Sequence, residues 1–117
     1  MVDASRAAVK AEGLIVVTQA GPTAAAKRRG IEIPGNRVIG VFNIDFAVRV
    51  LALSTAAMIE APIRLYVTEN ADGTATLSYK EPSLVFAPYV PDAGDALAGI
   101  AKDLDARFLA IARAAVQ

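Results

Sequence analysis

From residue 63 to residue 80 apolar and polar positions alternate. Ile63, Leu65 and Val67 stand against Arg64, Tyr66 and Thr68, then Ala75, Leu77 and Tyr79 against Thr76, Ser78 and Lys80. Successive strand side chains point to opposite faces, so this period of two predicts a pair of half-buried strands. The "NADG" between them is a short connection in which Gly73 takes the positive φ that Asp72 would resist, which makes the pair a hairpin. Pro82 has no amide hydrogen to give to a ladder and is expected to end the second strand. Towards the C-terminus the period changes to that of a helix. Leu97, Ile100, Leu104, Phe108, Ile111 and Ala115 recur at spacings of three and four, with Lys102, Asp103, Asp105, Arg107 and Arg113 on other faces. Such a helix should lie across a sheet.

The first half repeats these signals more weakly. "DASRAAVKAEG" predicts a short helix with Asp3 or Ser5 as N-cap and Gly13 closing it. "LIVVTQ" is a continuous apolar and β-branched run, expected as a central strand. Pro22, three alanines and the cations Lys27, Arg28 and Arg29 before Gly30 describe a second short helix, the cations either complementing the negative end of its dipole, the ordinary reason to find them there, or forming an anion site. Pro34-Gly35-Asn36 turns the chain into a strand over roughly 37–43, where Gly40 marks a bulge or a close backbone approach. Apolar residues at 44, 47, 48, 51, 58 and 59 fit helical turns interrupted near Ser54-Thr55 and ended by Pro62. "SLVFAPYVPDAGD" is expected to be irregular. Its Leu84, Val85, Phe86, Tyr89 and Val90 are too many large apolar groups for an ordinary exposed loop, so they either cap the core or meet a second subunit, with Leu84, Phe86 and Tyr89 as the interface candidates.

Composition narrows the chemistry. A length of 117 residues suits one domain with one core, spanning 1–117. Twelve basic and 12 acidic residues cancel, which removes the counterion-release drive of nucleic-acid binders, and no such partner is expected. The chain has no cysteine and no histidine. Disulfides, thiolate nucleophiles, Ser-His-Asp triads and the commonest metal ligands are therefore absent, and neither a cofactor nor a metal is expected. "MVDASRAAVKAEGLIVV" lacks the pattern of a secretory signal, and the longest apolar stretch is broken by Asn43, Asp45 and Arg49, so the chain is expected to be cytoplasmic with no membrane segment.

Four residues are candidates for binding a ligand. Arg64 and Tyr66 share the polar face of the hairpin with Ser78 and Lys80, where an arginine fork and an aromatic wall suit a small anion. Asn43 and Asp45, at the end of a strand, either orient a ligand or cap the following helix. Glu81, Asp92 and Asp95 would make a hard-metal site only if the fold gathered them, and Glu69, Asn70 and Asp72 do not match calcium-loop spacing.

Taken together, "GIEIP", "VFNID", "PIRLYV", the "ADG" hairpin and "SYKEP" followed by an amphipathic helix resemble the DUF302 family over nearly the whole chain, from about Gly13 onward. The departures are Glu81 where that family usually has Asp, Phe42 and Ile44 where Gly and Pro flank the asparagine, and "TQAGP" in place of a histidine after the first strand. The resemblance implies a two-layer α+β sandwich that forms homodimers, and it implies no activity. The expectation is an antiparallel four-stranded sheet with helices on one face, associating through the sheet or through the segment of Leu84, Phe86 and Tyr89, with a small anionic ligand near Asn43, Asp45, Arg64 and Tyr66. The alternatives are an enzyme using Asp45, Tyr66 or Glu81 in carboxylate or tyrosine acid–base chemistry, and an adaptor that recruits another protein through "PSLVFAPYVP".

Overall fold

In the computed structural model, which describes residues 1–117, the hairpin is formed by β3 (Ile63–Glu69) and β4 (Ala75–Tyr79). Gly73 adopts φ +85°, and Asp72 Oδ1 accepts a hydrogen bond from the Thr74 amide at 3.0 Å, which closes the turn. β2 (Asn36–Phe42) pairs with β3 and β1 (Ile15–Ala20) with β2, so four antiparallel strands lie in the order β1-β2-β3-β4. Register sets Ile39 beside Leu65 and Leu65 beside Tyr79, which aligns the apolar positions of β2, β3 and β4 on one face. Ile39, Val41, Ile63, Leu65 and Val67 are buried there, whereas Arg64, Tyr66, Thr76 and Ser78 face outward.

The helical elements are α1 (Val2–Ala11), α2 (Thr23–Arg28), α3 (Ile44–Leu53), α4 (Pro82–Phe86), α5 (Val90–Ala93) and α6 (Asp95–Ala115), with 3₁₀ turns at Ala56–Glu60 and Ala87–Tyr89. All six positions of the C-terminal periodic pattern are buried. Leu97, Ile100, Leu104, Phe108 and Ile111 of α6 join the inner sheet residues in one apolar cluster. Burying each such side chain stabilises the fold by about 1.5–3 kcal/mol. The Tyr79 ring packs on Phe108 with centroids 5.7 Å apart. No helix is long and apolar enough to cross a membrane.

Four local expectations are corrected. β1 is an edge strand, paired with β2 alone, and Ile15 and Val17 are exposed. An apolar run does not say which strands will flank it, and the buried residue of this one is Leu14, just before the strand. α1 starts at Val2, so Asp3 and Ser5 lie inside the helix, and Ser5 is buried with its hydroxyl unpartnered. α3 buries Phe46, Ala47 and Val50, leaving Ile44, Val48 and Leu51 outside. That helix is apolar on most sides, and periodicity alone cannot choose which side faces inward. Finally, residues 82–93 form short helical turns rather than irregular chain, because Pro82 and Pro91 stand near helix starts, where a missing amide hydrogen costs nothing.

Candidate functional site

The open face of the sheet carries a groove of about 880 Å³. Its floor is built by strand alternation. Val38 of β2 pairs with Tyr66 of β3, which pairs with Ser78 of β4, and Arg64 lies two residues earlier on the same face. Lys80 continues that face just past the end of β4. Glu60, before β3, and Leu84 and Val85 on α4 also line the groove. Its walls are thus largely apolar, and its polar groups are two cations, one carboxylate, the phenols of Tyr66 and Tyr79, a hydroxyl and an amide.

Local contacts set the shape of the groove. The Asn36 amide donates a hydrogen bond to the Tyr66 hydroxyl, fixing the outer end of that ring. The Tyr89 hydroxyl donates to Glu60 Oε2 at 2.6 Å, which gives the carboxylate a partner within the chain. Gly40 pairs with Arg64 in register, and a Cβ at residue 40 would collide with Thr18 Oγ1 and stand 2.9 Å from the Pro62 ring. The close approach expected at Gly40 is therefore present, and β1 has its bulge opposite, between Val16 and Thr18. The chain's ion pairs are Asp3 with Arg6 and Asp103 with Arg107. Arg64 and Lys80 have none.

Of the four ligand candidates, Arg64 and Tyr66 come together in the groove, and Asn43 and Asp45 do not line it. Asn43 caps α3: its Oδ1 accepts from the Phe46 amide at 3.0 Å, while its Nδ2 donates to the Gly13 carbonyl at 3.1 Å and ties α3 to the start of β1. Asp45 is exposed in the first turn of α3, where a negative charge suits the helix dipole. Glu81 is exposed at the start of α4, whose Ser83 amide instead donates to Asp105 Oδ1 of α6 at 2.8 Å. Glu81, Asp92 and Asp95 are not gathered into a metal-binding group.

The interface candidates also separate. Leu84 is 68% exposed and lines the groove, whereas Tyr89 is half-buried against Glu60. Phe86 has no exposed surface and packs edge-to-face on Phe46, with centroids 5.9 Å apart, so it belongs to the core and offers nothing to a second subunit. Sequence reasoning placed Glu60 in no site and gave Val85 only to the apolar segment that caps the core or meets a second subunit. The three prolines from 82 to 91 concealed the helical turn that presents Leu84 and Val85 to the groove.

Three groups titrate away from their usual values. Burial, with the nearby charges of Glu81 and Asp105, pushes the Tyr79 phenol up, and Arg113 partly offsets this. The bond to Glu60 raises Tyr89. Hydrogen bonds from Thr74 lower Asp72.

An antiparallel four-stranded sheet, a helical layer burying one side of it, and an apolar-walled groove carrying Arg64 and Lys80 on the other define a small α+β domain with one open sheet face. A model of the family described as "Domain of unknown function DUF302" matches residues 1–115, and the chain belongs to that family. The fold is similar to that in the crystal structure of the uncharacterized conserved protein DUF302 from Bacillus stearothermophilus, with a TM-score of 0.82 and 23% identity. That alignment covers 97% of this chain and 87% of the other. No curated protein matches the sequence.

Proposed function

We propose that this domain is a homodimeric binding module whose open-face groove takes a small amphipathic anion. The observation that carries this reading is the pairing of Arg64 and Lys80, neither engaged by a carboxylate, with an apolar trough beside Val38, Tyr66 and Leu84. An arginine fork binds a carboxylate or sulfonate through two parallel hydrogen bonds, and Lys80 adds a mobile point charge. The ligand body then lies along the Tyr66 ring, which is 39% exposed and tethered by Asn36. Glu60, which also lines the groove, opposes a second negative charge, so a singly charged ligand is favoured.

The acid–base alternative has less support. Asp45 and Glu81 lie outside the groove, and Tyr66 has Asn36, a hydrogen-bond donor, as its partner where a general base would be needed. The adaptor alternative requires an exposed "PSLVFAPYVP", yet Pro82 and Phe86 are buried.

The test is a fluorescence titration with anilinonaphthalene sulfonate, with octanoate as competitor. Saturable binding that octanoate displaces is expected. Substituting both Arg64→Gln and Lys80→Gln should weaken it by at least about tenfold, since a hydrogen bond to a charged group contributes roughly 1.5–3 kcal/mol. Equal binding by that variant, or no saturable binding by the unsubstituted protein, would overturn the groove assignment.

A further inference from the structure

Helix α3 has more apolar surface than the domain covers. Phe46, Ala47 and Val50 point inward, yet Ile44, Val48 and Leu51 remain 68%, 61% and 47% exposed. Spacings of four and three place these three on one stripe of the helix. Asp45 and Arg49 lie together along one side of that stripe and are both exposed. Although they are four residues apart on the helix, they form no ion pair, and no other residue of the chain pairs with either. An apolar seam flanked by one acid and one base, each unpartnered, has the chemistry of a surface that recognises its own copy.

We propose that this face of α3 docks a second copy of the chain, the two α3 helices running antiparallel about a two-fold axis near Val48. The proposal rests on the homodimer reading above and names its surface. A two-fold axis keeps the charged side of one helix next to the charged side of the other while reversing its direction. Asp45 of each subunit then approaches the partner's Arg49, and the contact is made twice. A parallel two-fold arrangement would put the two charged sides on opposite flanks of the contact and leave Asp45 and Arg49 of both subunits unpaired, so the charges select the antiparallel one. Along the apolar stripe, Ile44 of one copy meets Leu51 of the other, with Val48 at the centre. Ile15, paired with Phe42 just before the helix, is a further exposed apolar residue of the domain. A ten-residue helix is only about 15 Å long, and a stable interface usually buries about 800 Å² per partner. The dimer should therefore dissociate on dilution.

Light scattering across a dilution series tests this with the unsubstituted protein, Val48→Asp, Asp45→Arg, Arg49→Asp and the exchanged pair Asp45→Arg with Arg49→Asp. All substituted positions are exposed, and circular dichroism checks that each variant is folded. The expected result is a dimer in the unsubstituted protein, a monomer for Val48→Asp, at least tenfold weaker association for each single charge reversal, and recovery in the exchanged pair. A dimer that none of these changes weakens would overturn the α3 surface and leave the homodimer reading standing. A monomer at every concentration would overturn both.

Discussion

Phe86→Ala measures where the segment from Pro82 to Ala93 belongs. The ring is fully buried and meets Phe46 edge-to-face at 5.9 Å and 69°. Truncating a buried phenylalanine removes its transfer free energy and leaves a cavity, a loss of about 3–5 kcal/mol. Of this, about 0.5–1.5 kcal/mol reflects the aromatic pair. A domain of this size is stable by about 5–15 kcal/mol, so the variant should still fold at low temperature. With a urea dependence of about 2 kcal/mol per molar, a loss of about 4 kcal/mol lowers the unfolding midpoint by about 2 M. The assay is urea unfolding followed by circular dichroism, with mass measured by light scattering in parallel. Leu84→Ala, two residues away but 68% exposed, is the control and should stay within about 0.5 kcal/mol. A midpoint shift for Phe86→Ala no larger than that of Leu84→Ala, or a loss of mass without a loss of stability, would refute the core assignment.

Asn43→Ala removes both the α3 cap and the tie to Gly13, and should cost about 0.5–2 kcal/mol in urea unfolding; Asn43→Asp keeps the capping oxygen and should recover part of it. Gly40→Ala drives a methyl group into Thr18 and Pro62 and should destabilise by about 1–3 kcal/mol, and a smaller loss in a Thr18→Ala background would confirm the clash. The bond to Glu60 raises the Tyr89 phenol in the fold, so its contribution is complete below the ordinary phenol value near 10 and is lost as pH rises through the higher folded-state value. Tyr89→Phe should therefore flatten the alkaline end of the stability profile, and an unchanged slope there would count against the linkage.

Much of the fold was legible because two periodicities were clean. The alternation at 63–80 and the three-and-four spacing at 97–115 each leave one side to bury, and that side is buried in β3 and α6 and half-buried in β4. The candidate site was half legible for the same reason. Arg64 and Tyr66 had to share a face with Ser78 and Lys80 once the hairpin formed, whereas Asn43 and Asp45 were close to them only in kind. Their positions beside a strand end suited ligand binding and helix capping equally, and the hydrogen bonds to Phe46 and Gly13 decided for capping in the case of Asn43.

By itself the sequence determined the strands, the longer helices and the side-by-side placement of residues within them, because those follow from local geometry, but not the helical turns of 82–93. It also excluded histidine and cysteine chemistry outright. Only the tertiary structure decided the rest. It placed β1 at the edge, turned Ile44, Val48 and Leu51 outward, drew Phe86 into the core while leaving Leu84 on the groove, and separated Asp45 and Glu81 from Tyr66. Each of those outcomes depends on what a segment packs against, and a continuous apolar run or an all-apolar helix carries no local preference that could state it beforehand.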